Sequence, residues 1–172
     1  LDLRAIAPMI YLQNVRMMLH RHNLSPLCRP EARYRAVEAC VKVALSTAQL
    51  MSRCMGSSSV SRYDLAVSAT TLLCTHLWRC TLFLLFRGEY EAALILVQAF
   101  FTIGSARNVT ADCGRHIAFF IRCITDRLQT RVVTDFEQDE ELMAYVSADL
   151  QSSAANGWIW QGGETGARLS DN

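Results

Sequence analysis

The chain lacks most of the signals that announce a chemistry. Its seven cysteines include no CxxC pair, and there is no HExxH and no ExxH pair of the kind carried by di-iron bundles. A glycine-rich phosphate loop and a GxSxG elbow are also missing. Zinc-hydrolase, di-iron, P-loop and serine-hydrolase chemistries are therefore left without their usual residues. Lysine is nearly absent, Lys42 being the only one among 17 basic residues. Arginine's tolerance of partly buried pairing is the one physical correlate of that bias. Basic and acidic residues almost cancel, at a net charge of +1, so no basic field points to nucleic acid. Long apolar runs are lacking too. The stretch Ala92 to Ala106, "AALILVQAFFTIGSA", and the shorter "TLFLLF" (81–86) both fall below the roughly 20 residues that cross a bilayer. No membrane partner is expected. The chain opens without a methionine, inside what reads as a helix already under way, which suggests a piece of a longer protein.

What is present is apolar and helical. With 172 residues, 51% of them hydrophobic, the chain suits one domain with a sizeable core. An odd number of cysteines, set inside apolar helical patterns without a secretory signal, reads as small buried hydrophobes in a reducing compartment, nuclear or cytosolic. No alternating strand pattern of useful length occurs. The expected fold is all-α: a compact array of about six helices with two very apolar ones at its centre.

The first helix, about 2–21, gathers Leu3, Ile6, Ala7, Ile10, Tyr11, Met17 and Met18 on a broad arc that also contains Asn14. The second, about 30–54, opens with Pro30 in its first turn and carries the stripe Val37, Val41, Ala44, Ala48 and Met51. "GSSSV" (56–60) is a connector, either natively flexible or a shortened replacement for a longer loop. The third helix, about 61–87, is apolar around its whole circumference and ends at Gly88. The fourth, about 89–106, shows only Glu91 and Gln98 as a wet face. The sixth is expected to start at "TDFE", with Thr134 and Glu137 spaced as a capping box, and the acids 135–141 then suit its positive end. One domain over 1–156 and a Gly/Ser-rich tail over 157–172, anchored by Trp158 and Trp160, complete the expected organisation.

The fifth helix contains "CGRHIAFFIRCITDRL" (113–128), which at first sight resembles an active site. At about 100° per residue, Cys113, Ile117, Phe120, Ile121, Ile124 and Leu128 fall on one stripe, and His116 only flanks it. Thr110 or Asp112 is the expected cap. The nearest local metal set, Cys74, His76 and Cys80, diverges around its helix. No catalytic or metal-ligating residue is expected, and the chain is read as a non-enzyme. Asn14, His76 and Arg79 stand out because each is polar where the pattern predicts core. A buried polar group without a partner costs a few kcal/mol, so they must pair internally or line a cavity that admits a small effector. They are the candidate effector-binding residues.

"MLHRHNLSP.C" (18–28), the helix "EACVKVALSTAQLMSRCM" and the continuation "RGEYEAALILVQAFFTIGSARNVTADCGRHIAFFIRCITDRL" resemble the regulatory region of fungal zinc binuclear cluster transcription factors. "DEELMAYVSADLQ" with "WIWQG" is similar to the next segment in some members. The likeness spans about 9–160. It implies a nuclear, DNA-binding transcription regulator, of which this chain is the all-helical middle homology region. Zinc and DNA then belong to a separate six-cysteine module that is absent here, so no cofactor, zinc ligand or DNA-contacting residue is carried over to this chain. The implied partners are other regions of the same factor, a second copy as a homodimer, a small-molecule effector or a coactivator. A ligand-free scaffold for coactivator docking is the alternative.

Overall fold

The computed structural model describes residues 3–25, 27–56, 62–104, 108–130 and 136–147. Within them lie seven α-helices and no strand: α1 (Leu3–Arg21), α2 (Pro30–Gly56), α3 (Arg62–Ser68), α4 (Thr71–Arg87), α5 (Tyr90–Ile103), α6 (Asn108–Thr130) and α7 (Glu140–Ser147). Short 3-10 turns at His22–Leu24 and Phe136–Gln138 precede α2 and α7. The expected all-α class is the observed one. The connector 57–60, the start of the capping box at Thr134 and the tail with Trp158 and Trp160 lie outside the described residues.

α4 is the axis around which the others assemble. It packs against α2, α5, α6 and α7 and touches α1. Its residues from Cys80 to Phe86 are buried without interruption, as expected of a helix apolar on every side. Gly88, at φ 78°, adopts the left-handed conformation that stops it, and the N–H groups of Gly88 and Glu89 satisfy the Leu85 and Leu84 carbonyls.

The single helix expected over 61–87 is divided. Ala69 and Thr70 are non-helical, and the Thr70 side chain accepts the Leu73 N–H at 3.1 Å. Neither proline nor glycine marks the break; a threonine taking the N-cap role is sufficient. α5 also departs from expectation. Ala93, Leu96, Ala99, Phe100 and Ile103 are buried, but Tyr90, Leu94 and Phe101 face outward, so it is enclosed on one side only.

α6 begins at Asn108, earlier than a cap at Thr110 or Asp112 would place it. Thr110 instead reaches back, its hydroxyl donating to the Gly104 carbonyl at 2.6 Å. The buried face of α6 is turned relative to the expected stripe: Phe119 and Cys123 are buried, while Ile121 and Leu128 are exposed. On this side Tyr145 of α7 stacks on Phe120 with ring centroids 5.2 Å apart and packs against Phe119 at 5.7 Å.

α7 starts at Glu140 rather than at "TDFE". Asp139 caps it, one carboxylate oxygen accepting the N–H groups of Glu141 and Leu142 at 3.0 Å each. The described acids of the run 135–141 are occupied. Glu137 pairs with Arg87, Asp139 and Glu141 share Arg127, and Glu140 binds Arg33 through two parallel 2.8 Å bonds. Arg87 also reaches Glu38 at 2.7 Å. This segment is an ionic clasp onto α2, α4 and α6.

Candidate functional site

The three polar positions singled out by sequence fall into two pairings. Asn14 on α1 and Arg79 on α4 meet directly, Arg79 Nη1 donating to Asn14 Oδ1 at 2.9 Å. The guanidinium lies 6.0 Å from the Trp78 ring centroid. Its Nε is buried without an acceptor, and burial holds its pKa below the usual arginine value.

His76 has no exposed surface. Its Nε2 lies 3.0 Å from Thr47 Oγ1. That hydroxyl donates to the Val43 carbonyl, also at 3.0 Å, which leaves its oxygen able to accept from the ring in the Nε2-protonated tautomer. Cys80 Sγ closes the group at 3.5 Å from Nε2. Burial, with the Arg79 charge adding to it, lowers the His76 pKa to about 4. The imidazole is neutral at physiological pH.

Arg21 is a buried cation that sequence reading passed over. Its Nε and Nη2 both donate to the Ser147 carbonyl, at 3.1 and 2.6 Å, and Nη1 lies 3.2 Å from Met18 Sδ. The guanidinium thus sits at the negative end of α7, where a cation is favoured. Desolvation, with Arg79 adding to it, lowers its pKa to about 10. A signal was present: Arg21 lies one turn beyond Met17 on the buried arc of α1.

The thiols are not poised for nucleophilic work. All seven cysteines are free and six are buried. Burial pushes Cys40 and Cys80 up to about 12 and Cys113 to about 11, the opposite of a thiolate site. Among the described residues no three His, Cys, Asp or Glu side chains converge as a metal set, and no helix is long and apolar enough to cross a membrane.

One concave feature is an open apolar groove of about 540 Å³ between α5 and α6. Val97 and Phe101 form one wall, Ile117 and Ile121 the other, and Gly114 and Ala118 keep the α6 side low. Phe101 is 83% exposed at its edge. Asn14, His76 and Arg79 do not line it. Sequence reading missed this groove because it treated α5 as central and Ile121 as core.

No protein-family model, no curated protein and no solved structure matches the chain.

Proposed function

We propose that the chain is a regulatory helical domain of a fungal-type, nuclear, DNA-binding transcription regulator. It acts by docking neighbouring parts of the same polypeptide, and zinc and DNA contact belong to a separate module. The observation that carries the reading is the α5–α6 groove. Behind it lies a core whose polar groups are largely paired, while the groove leaves Phe101 and Ile121 outside. Large exposed apolar features of this kind mark interaction sites. The resemblance of the helical segments to the regulatory region of zinc cluster factors supplies the biological setting. Effector sensing draws less support, because Arg79 is bonded to Asn14 through Nη1 and His76 to Thr47, which leaves Arg79 Nε as the one unmet buried polar atom these three side chains offer.

A coactivator helix is the rival occupant of the same groove. Phe101→Glu with Ile121→Glu, introduced into the full-length protein and read through a reporter gene, separates the two. Release of an intramolecular contact raises transcription several-fold, whereas loss of a coactivator lowers it. Unchanged output removes both readings. The thermal midpoint of the purified domain is expected to stay constant, since the Phe101 and Ile121 side chains are exposed.

A further inference from the structure

α1 is apolar on two sides and packed on one. Ile6, Ile10 and Met17 face the core, while Met9, Leu12, Val15 and Leu19 face outward. Leu12 and Leu19 are 53% and 64% exposed. The spacing 12, 15, 19 places one aliphatic on each of three successive turns. Such a stripe is the seam along which a second helix packs, and none of the described helices covers it.

The surroundings of the stripe specify the chemistry of its occupant. α1 contains no acidic residue. Arg16 lies beside the stripe and, with Arg35 and Lys42 of α2, borders a shallow depression that also includes Tyr34 and Glu38. Glu38 is engaged by Arg87 at 2.7 Å, so it offsets little of that positive charge. On the opposite flank the stripe runs into an apolar hollow of about 430 Å³, lined by Pro8 and Tyr11 from α1 and by Leu65 and Leu72 from α3 and α4.

We propose that this face docks an amphipathic helix of about three turns from a partner protein, with aliphatic residues on one stripe and carboxylates along the flank that meets Arg16, Arg35 and Lys42. The aliphatics bury against Leu12, Val15 and Leu19, and the carboxylates set the register against the basic edge. A second copy of this chain fits poorly. Burying the stripe against itself requires a two-fold axis near its centre, which brings the two Arg16 side chains together with no acid on either α1. A lipid surface also fits poorly: the cations lie on one flank only, and the other flank is concave. No residue of this face belongs to the α5–α6 groove, so the two surfaces stand independently.

The test uses the intact chain and two fluorescein-labelled helical peptides of about five turns. They share leucines at the matching spacing and differ in carrying glutamate or lysine on the flanks. By fluorescence anisotropy the glutamate peptide is expected to bind at least about tenfold tighter than the lysine peptide. Leu12→Ser with Leu19→Ser removes that binding without lowering the thermal midpoint, because both side chains are exposed. Arg16→Glu with Lys42→Glu reverses the preference, so that the lysine peptide binds tighter. Equal binding of the two peptides, or no binding of either, overturns the proposal. It is equally overturned if the Leu12/Leu19 variant abolishes a dimer seen by size-exclusion light scattering, or abolishes pelleting with phosphatidylserine vesicles. Either result would assign the face to another occupant. Phe101→Glu should leave peptide binding unchanged, so failure of this docking face and failure of the α5–α6 groove are distinguishable.

Discussion

His76 has one comfortable protonation state in the folded chain. Its ring is enclosed, it is hydrogen-bonded to Thr47, and protonation would add a second cation near Arg79. With a folded pKa of about 4 against roughly 6.5 when unfolded, the unfolded chain binds a proton in this interval that the native chain refuses. Stability therefore rises with pH across that window; it is complete above about 6.5 and is lost as the pH falls toward 4. The total is on the order of 3 kcal/mol. Urea unfolding of the wild type between about pH 7 and 4.5 should show a steep loss, and His76→Gln should remove most of that slope. A parallel decline in both proteins would show that the acid sensitivity does not come from His76. The position of His76 was legible in the sequence, because its helix predicted core all round. Its partner was not, since Thr47 comes from a different helix. Asn14 and Arg79 were hidden from one another for the same reason: both were polar on apolar arcs, but only packing brings α1 against α4.

Helix ends were the least legible feature at the scale of elements, and the physical reason is competition between neighbouring caps. Gly88 was readable because a left-handed residue at the end of a strongly apolar helix has few alternatives. Thr70 was hidden inside a run without proline or glycine, where a single side-chain acceptor decided the break. For α7 the segment 134–141 offers several acids, and Asp139 wins because it performs two tasks. One oxygen caps Glu141 and Leu142, and the other accepts from Arg127 of α6. Asp139→Ala should therefore cost more than an ordinary cap: about 1 kcal/mol for the cap, plus the share of Arg127 that this carboxylate holds. Hydrogen exchange is the discriminating measurement. Protection should fall across 140–147 and remain in α4, whereas uniform loss throughout the chain would show that α7 does not open on its own.

At the scale of the whole molecule, two helices of similar composition end in different places. α4 and α5 are both strongly apolar, and composition alone treats them as equals. The difference is made by topology. α4 is surrounded by α2, α5, α6 and α7, whereas α5 lies at the side with Tyr90, Leu94 and Phe101 outward. The class of fold followed from helical periodicity, but which apolar helix becomes the centre depends on how long-range faces pair. Two phenylalanines test that assignment. Phe83 on α4 is fully buried, and Phe101 on α5 is 83% exposed. Phe83→Ala removes a ring from a packed interior and should cost about 3–5 kcal/mol, the transfer loss plus the cavity left behind. Phe101→Ser should stay within about 0.5 kcal/mol of wild type. Both are read from urea midpoints, with an unchanged denaturant slope required for the comparison to stand. A large loss at Phe101 would mean that the α5–α6 groove is closed in solution by another part of the chain. The exposed side of α5 would then belong to the core after all.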